Sequence, residues 1–392
     1  MDADLSRLDA HLDSLDVEAY LLDADSSNAT QRYLSGFDAP DPFVTCYRPS
    51  ELSVLVSGLE FGRAKTESRA DRIRRPVDYN RRELVEAYGP IEAGHRVTAA
   101  FLADCGVGSV AVPERFPVGT ADGLREQGIE VVVDTADVLI DIRAVKTPTE
   151  LDYIRTTQQA NEAAMAAAEK AIRTASVDSE GRLTLDGDVM TSERVKTIIE
   201  TTLLEHGCGL DETIVACGQQ AADPHNRGSG PLYAGEPIII DIFPRDKSTG
   251  YHSDMTRTFC TGEPSDTLAA WYELTERALQ AALDAVKPGN TGGDVHAAAC
   301  AVYEDAGLPT FRTDPETEVG FIHSTGHGVG LDVHERPSLS TDGGDLVAGQ
   351  VITVEPGLYD PSVGGVRIED IVIVTEDGSE NITEYPIELV VD

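Results

Sequence analysis

Short apolar runs alternate with amphipathic segments along the first 145 residues of the chain. The runs predict strands, the segments between them predict helices, and no GxGxxG motif follows a strand to indicate dinucleotide binding. We therefore expect a smaller α/β domain over residues 1–145. The predicted strands are Ala19–Leu22, Leu52–Val56, Ser109–Val112 and Ile129–Val133, and the predicted helices include Arg81–Tyr88 and Thr120–Gln127.

A domain boundary is predicted near residues 143–149. Thr147 can cap a helix whose first residue is Pro148 and whose third is Glu150, which is a strong helix start. An alanine-rich helical pattern follows from there. Because 392 residues exceed the size at which a single core stops growing, roughly 250 to 300 residues, we expect a second domain over 146–392.

The second domain shows the order helix, helix, strand, strand twice. Beside the alanine-rich helix, the predicted helices are Thr191–His206, Ser265–Val286 and Gly293–Ala306, and the predicted strands are Pro237–Phe243, Tyr251–Cys260, Gln350–Glu355 and Gly365–Thr375. This order predicts an α+β domain in which two strand pairs form one sheet and the helices cover one of its faces. The other face would then be free for a site.

The composition adds an extreme negative charge to this picture. The chain has 69 acidic and 31 basic residues, a net charge of −38, and only six of the basic residues are lysine. Such a surface suits very high salt, where charge repulsion is screened, so we expect the cytosol of a salt-accumulating halophile. The alternative is an ordinary acidic protein. The sequence has no basic patch of the kind that would indicate a nucleic-acid partner.

No apolar run has the length of a membrane span, and the acidic N-terminal stretch is unlike a signal peptide. We therefore expect a soluble, cytoplasmic protein without a membrane partner. The six cysteines form no CxxC pair, so neither a zinc cluster nor a disulfide framework is indicated.

Three histidines lie among glycines in the stretch Phe321–Glu335, namely His323, His327 and His334. Imidazole titrates near neutrality and is the commonest metal ligand, so this stretch predicts a site. The alternative is a turn in which these histidines satisfy backbone groups.

Each predicted strand pair also carries two carboxylates in apolar surroundings. The four are Asp241, Asp254, Glu355 and Glu369. A carboxylate at the end of a buried strand is unfavourable unless it is paired or bound to metal, so the four form a candidate ligand set with His327. The alternative for each is satisfaction by backbone amides, by Arg257 or by Arg367.

Four carboxylates balance the charge of two divalent cations. A bridging hydroxide can form between such cations, because metal-bound water has its pKa lowered to about 7. An oxygen-rich set with one imidazole and no thiolate favours manganese or cobalt, with iron or zinc as the alternatives.

Alternation along the last strand places Arg367 and Glu369 on one face and Asp370 on the other. Arg367 can therefore stabilise a carboxylate or an oxyanion at the site, and Asp370 is expected to be structural. His225 lies in the polar loop ADPHNRGSG before the first strand. It is a candidate proton shuttle or substrate donor, or else an exposed loop residue.

These motifs resemble the pita-bread metallopeptidases, in the branch of prolidase and Xaa-Pro aminopeptidase. The motifs are Asp241, SDMTRTF, GHGVGLDVHE, VEPGLY and GVRIED, in that order over residues 241–370. YLSGF and IRAVKTPTELDYIR are similar to the creatinase-type N-terminal domain. The segment from Asp241 to Asp254 departs from the pattern. It is longer than in many relatives and has Phe243 where a small residue is frequent, so we expect a longer hairpin turn.

The resemblance implies a pita-bread fold for the second domain and specific roles for its residues. The implied ligands of two metal ions are Asp241, Asp254, His327, Glu355 and Glu369. It implies that His225 and His334 contact substrate and assist proton transfer, and that Glu355 doubles as acid or base. The implied substrate-binding residues are His323, near a proline pocket, and Tyr359, while Arg367 matches a further active-site position.

The expected function is a dinuclear metal-dependent exopeptidase that cleaves the peptide bond preceding proline in small peptides. A homodimer is also implied by the resemblance. The alternatives are a creatinase-like amidino hydrolase that works without metal, a non-enzymatic binding module on the same fold, and a metal-dependent hydrolase of a non-proline amide.

Overall fold

A computed structural model describes residues 4–392, and the chain divides into two compact units between Arg143 and Ala144. The division lies two residues before the predicted boundary. None of the helices among the described residues is long and apolar enough to cross a lipid bilayer.

The first unit is a six-stranded sheet with helices packed against it. Its strands are β1 (Ala19–Ala24), β2 (Phe43–Arg48), β3 (Glu51–Leu55), β4 (Arg72–Arg74), β5 (Ser109–Pro113) and β6 (Glu130–Asp134), in the order β4-β3-β2-β1-β5-β6. Its helices are α1 (Ser6–Leu15), α2 (Ala29–Ser35), α3 (Phe61–Glu67), α4 (Arg81–Tyr88), α5 (Pro90–Asp104), α6 (Val118–Glu126) and α7 (Val138–Ala144). All four predicted strands are present, β2 and β4 are additional strands, and α4 and α6 correspond to the two predicted helices.

Four long helices frame the second unit. They are α8 (Pro148–Arg173), α9 (Ser192–Glu205), α10 (Asp266–Ala285) and α11 (Gly292–Asp305). The start of α8 has the predicted capping box, in which the Thr147 side chain accepts from the Glu150 N–H and the Glu150 carboxylate accepts from the Thr147 N–H. The four predicted helices and four predicted strands occur in the predicted order, and further short strands lie between them, three of them between α8 and α9.

The strands of the second unit fall into several short sheets. They are β7 (Ser176–Val177), β8 (Leu183–Leu185), β9 (Asp188–Val189), β10 (Cys208–Gly209), β11 (Ile214–Cys217), β12 (Ile238–Ile242), β13 (Arg245–Asp246), β14 (Met255–Phe259), β15 (His327–Gly328), β16 (Glu335–Ser338), β17 (Val351–Val354), β18 (Gly357–Asp360), β19 (Gly364–Arg367), β20 (Asp370–Val374) and β21 (Ser379–Asn381). The sheets that matter here are β11-β12-β14, β16-β15-β17-β20-β21 and the hairpin β18-β19.

The prediction that both strand pairs share one sheet is wrong. β12 and β14 pair in one sheet and β17 and β20 in another. The predicted strand Gly365–Thr375 is interrupted at Ile368 and Glu369, because β19 pairs with β18 whereas β20 pairs with β17. The two sheets meet where the Glu369 N–H donates to the Thr256 carbonyl at 3.1 Å.

Helices cover one face of these sheets, as predicted. Ile238, Ile240 and Ile242 on β12 pack into a core with α8 and α9, and a second core joins α10 and α11 to β17 and β20. Strand alternation then turns Asp241 to the opposite side. The carboxylates therefore converge on the helix-free side, where the two sheets meet.

Candidate metal centre and active site

A cavity of about 910 Å³ lies on the helix-free side of the second unit. Its walls include all five candidate ligands together with His225, His323, His334 and Arg367. Tyr359 is the one predicted site residue that does not line it. Tyr359 is fully buried behind the wall, in contact with His323 and Arg367.

The candidate ligands reach the cavity from strand ends. Asp241 lies on β12, Asp254 precedes β14, His327 begins β15, Glu355 follows β17 and Glu369 lies between β19 and β20. Asp241 and His327 lie within strands, and the main-chain N–H groups of Glu355 and Glu369 donate to the carbonyls of Thr325 and Thr256. The ligands therefore lie on or directly beside rigid elements.

One ligand atom each from Asp254, His327 and Glu369 lies within 4.8 Å of the others. His327 Nε2 is 3.4 Å from Glu355 Oε1 and 3.8 Å from Asp254 Oδ2. His327 Nδ1 is 3.1 Å from the Gly328 carbonyl. Because a carbonyl can only accept, Nδ1 carries the proton and the Nε2 lone pair faces the carboxylates, as a metal ligand requires.

Two carboxylate oxygens in this cluster, Asp241 Oδ1 and Asp254 Oδ1, are buried and have no hydrogen-bond partner. A buried charged oxygen without a partner is costly, and a bound cation would satisfy both. The donor set, four carboxylates and one neutral imidazole, is one that binds manganese, cobalt or iron. The residues therefore fit a divalent metal centre.

The carboxylates also perturb one another. Burial, with the nearby charges of Glu369, Asp241 and Glu355, raises the pKa of Asp254 well above its usual value. Burial likewise raises the pKa of Glu369, with a further contribution from Glu355. Burial raises the pKa of Glu355 to about 7, against the opposing effect of Arg367. Without a cation, these groups therefore resist ionisation.

A hydrogen-bond chain runs from Asp241 to His323. Arg367 Nη2 donates to Asp241 Oδ2 at 2.7 Å and Nη1 donates to the Tyr359 hydroxyl at 2.8 Å. The Tyr359 oxygen is 3.0 Å from His323 Nε2, and His323 Nδ1 is 2.7 Å from the Ser324 carbonyl. Since Arg367 can only donate, Tyr359 gives its own proton to Nε2.

His323 is therefore a neutral imidazole whose two nitrogens are both engaged inside the protein. Burial and the positive charge of Arg367 lower the pKa of His323 to about 3, in agreement with this assignment. His323 faces the cavity with its ring and not with a free nitrogen. It can form an apolar wall, but it offers substrate no hydrogen bond in this arrangement.

The remaining histidines surround the carboxylates. The rings of His327 and His334 meet edge to face with centroids 4.3 Å apart. Burial lowers the pKa of both, and the proximity of His327 lowers that of His334 further. His225 is exposed on the cavity wall, and its main-chain N–H donates to Asp223 Oδ1 at 3.1 Å. The structure thus places the neutral imidazoles of His327 and His334 within the site.

Two threonines orient the carboxylates but were missed in the sequence. Thr256 Oγ1 donates to Glu369 Oε2 at 2.8 Å, while Thr353 Oγ1 accepts from the His327 N–H at 3.0 Å and lies 3.3 Å from Glu355 Oε1. Strand alternation was the available signal. Thr256 lies two residues after Asp254, and Thr353 lies two residues before Glu355.

Apolar side chains complete the cavity. They are Ile214, Phe243, Ile322 and Val333. Phe243 is the residue that departs from the resembled pattern, and it contributes to the wall. Asp370 points away from the cavity and pairs with Arg257, so its predicted structural placement is confirmed.

The pattern that defines metallopeptidase family M24 matches residues 152–376. A protein of Mycobacterium tuberculosis described as a probable dipeptidase, PepE, is 38% identical over 284 residues, which cover 72% of this chain and 68% of that protein. The Xaa-Pro dipeptidase of Pyrococcus horikoshii is 28% identical over 396 residues, which cover 100% of this chain and 99% of that protein.

A solved structure shows the same architecture. The crystal structure of the prolidase from Pyrococcus horikoshii OT3 superimposes with a TM-score of 0.80 at 26% sequence identity, covering 98% of this chain and 99% of that one. The similarity extends over both units. The pita-bread assignment of the catalytic unit is thereby confirmed.

Proposed function

This chain belongs to metallopeptidase family M24, in its pita-bread prolidase branch, and from that premise we propose that it hydrolyses the peptide bond preceding proline. The proposal covers Xaa-Pro dipeptides and the N-termini of longer peptides. The observation that carries it is the cluster of four carboxylates and one imidazole at a cavity wall, in which two buried carboxylate oxygens have no partner.

We propose that the five clustered residues hold two divalent metal ions, with manganese or cobalt favoured over iron or zinc. When bound, such ions polarise a peptide carbonyl and lower the pKa of water to about 7. The proposed ligands are Asp241, Asp254, His327, Glu355 and Glu369. The charge of four carboxylates matches that of two divalent cations, and the unpartnered oxygens of Asp241 and Asp254 support the assignment.

Proton transfer is assigned to residues around this cluster. Glu355, whose carboxylate lines the cavity 3.4 Å from His327 Nε2, is assigned the acid or base role that the family resemblance implies. His334 and His225 lie on the same cavity wall and serve as substrate contacts and proton carriers. Each would exchange a proton through a ring nitrogen with the departing amine or with water.

Substrate positioning is assigned to His323 and its neighbours. The partly buried ring of His323 lines the cavity together with Ile322 and Phe243, and such a wall is of the kind that a proline ring can pack against. Arg367 holds Asp241 in place and fixes Tyr359, which in turn fixes the ring of His323. Arg367 therefore acts through its neighbours as well as through its charge.

The test compares Ala-Pro with Ala-Ala, and Ala-Pro with Ala-Pro-Ala, using the purified full chain with Mn²⁺ in high salt. We expect hydrolysis of Ala-Pro and little hydrolysis of Ala-Ala. Cleavage of the dipeptide alone would assign a dipeptidase, whereas cleavage of the tripeptide would assign an aminopeptidase. Equal turnover of Ala-Pro and Ala-Ala would contradict the specificity for proline.

We propose further that the protein is a homodimer in the cytosol of a salt-accumulating organism. The acidic, lysine-poor composition supports the location. The family resemblance supports the dimer. Light scattering in high salt gives the mass directly, and a single chain at all concentrations would contradict the dimer.

A further inference from the structure

Arg257 is the largest fully buried side chain in the described part of the chain. It lies on β14, three residues after Asp254. Strand alternation turns Asp254 and Thr256 toward the site and Arg257 to the opposite side, and Arg257 does not line the cavity. A buried guanidinium is costly unless its donors are satisfied, so its partners indicate its role.

All five N–H donors of Arg257 have acceptors. Arginine presents these donors in a rigid planar fork, so the acceptors are held in fixed relative positions. Nε donates to the Pro386 carbonyl at 3.0 Å, Nη1 to the carbonyls of Thr256 at 3.0 Å and Glu369 at 2.6 Å, and Nη2 to the Tyr385 carbonyl and Asp370 Oδ1, both at 2.8 Å.

Two of these acceptors belong to the backbone that carries the candidate ligands. A single nitrogen, Nη1, bonds the carbonyl of Thr256 on β14 and the carbonyl of Glu369 between β19 and β20. On the cavity side, the hydroxyl of Thr256 donates to the Glu369 carboxylate at 2.8 Å. Arg257 therefore bonds the main chain of Glu369 on the side away from the cavity, and Thr256 bonds its carboxylate on the cavity side. Both bonds lie where the two sheets meet.

The carboxylate of Asp370 orients the guanidinium. Asp370 Oδ1 accepts from Arg257, and Asp370 Oδ2 accepts from Asn381 Nδ2 at 2.7 Å. The Arg257 and Asp370 side chains are 1% and 5% exposed, so the pair is shielded from water and salt. Asp370 directly follows Glu369, which ties the ion pair to the ligand backbone.

We propose that Arg257 is a positioning residue for the metal centre. By bonding the main chain of Thr256 and Glu369, it sets the spacing between the Asp254 and Glu369 carboxylates on the other side of the strands. The proposal rests on the proposed function, because the spacing matters only if these carboxylates share metal ions. Arg257 itself touches neither metal nor substrate.

The matched substitution is Arg257→Lys. Lysine keeps the charge but has three donors on a flexible stem, so it cannot bond five acceptors in one plane. Asp370→Asn is the second variant, and it keeps the volume but leaves one oxygen to serve both Arg257 and Asn381. Leu203→Ala is the control, because Leu203 is fully buried in the α8 and α9 core and does not line the cavity.

The experiment titrates Mn²⁺ into each metal-free, full-length variant by calorimetry and measures kcat and KM for Ala-Pro at saturating Mn²⁺. In Arg257→Lys, we expect the more weakly bound of the two Mn²⁺ ions to bind at least about 10-fold less tightly than in the wild type. We also expect kcat to fall at least about 10-fold, as is typical when groups that orient metal ligands are changed. KM should stay nearly constant. Asp370→Asn should shift both quantities in the same direction by less, and Leu203→Ala should lower only the melting temperature.

A folded Arg257→Lys variant with wild-type Mn²⁺ affinity and wild-type kcat would overturn the proposal. If Arg257→Lys does not fold, wild-type Mn²⁺ affinity and wild-type kcat in Asp370→Asn would overturn the proposal. If the wild type hydrolyses no Xaa-Pro peptide, the proposed function fails. The Mn²⁺ titration of the variants still decides whether Arg257 positions the metal centre.

Discussion

Glu355 has a pKa raised to about 7 by burial, from an ordinary value of 4.5. In the metal-free protein the folded state therefore binds a proton that the unfolded state has released between these values, and stability falls as pH rises through that window. We expect the free energy of unfolding of the metal-free wild type to fall by on the order of 3 kcal/mol between about pH 4.5 and about pH 7, relative to that of Glu355→Gln. Denaturant titrations at a series of pH values measure this difference. Metal-loaded protein should lack this loss, and a relative gain over the same window would contradict the pKa assignment.

At the residue scale, the sequence identified the side chains that meet but not all of their relations. Asp241 and Glu355 were predictable because each stands at the end of an apolar strand, where an isolated charge needs a partner. The sequence did not predict that both ring nitrogens of His323 are hydrogen-bonded within the protein. This arrangement depends on the buried Tyr359 hydroxyl and on Arg367, which come together only through the β18-β19 hairpin.

At the scale of elements, one buried ion pair connects the start of the second unit with the segment that carries His334. Lys146 Nζ is 3.1 Å from Glu335 Oε2, and the two side chains are 1% and 3% exposed. The main-chain N–H of Lys146 also donates to the Gly349 carbonyl at 2.8 Å. Glu335 follows His334 directly, so the pair fixes the backbone at that histidine.

Removing one partner of this pair leaves a buried charge without compensation, which costs about 3–5 kcal/mol. We expect Lys146→Met to lower the free energy of unfolding by that amount in denaturant titrations, and Lys146→Met combined with Glu335→Leu to recover most of it. Arg155→Met is the control, since both of its partners, Asp152 and Glu380, are exposed to solvent. Equal effects of Lys146→Met and Arg155→Met would contradict a buried, unscreened pair.

The elements themselves were largely predictable from the sequence, whereas their pairing was not. Capping residues and apolar periodicity located α8 and the strands around Asp241 and Glu355. The break at Ile368 and Glu369 has no local signal, because GVRIEDIVIV reads as one continuous strand. Hydrogen bonding to two different partners, β18 and β17, produces the break and creates two sheets where one was expected.

At the scale of the whole molecule, the net charge of −38 is the dominant property. Repulsion among surface carboxylates extends over about 8 Å at physiological salt and about 3 Å at 1 M. We expect the melting temperature to rise steadily between low salt and molar KCl. Full stability in low salt would refute the high-salt adaptation and leave an ordinary acidic protein.

Hydrolysis before proline is expected to depend on divalent metal ions held by the carboxylate cluster. The most direct measurement removes metal from the full chain with a chelator and follows Ala-Pro hydrolysis while Mn²⁺ is returned, with bound metal counted per chain. We expect activity to vanish on chelation, to return as two ions bind each chain, and to remain absent in Asp254→Asn at the same Mn²⁺ concentration. Hydrolysis that survives chelation, or an active Asp254→Asn variant with full metal content, would contradict the account and favour a metal-independent hydrolase on this fold.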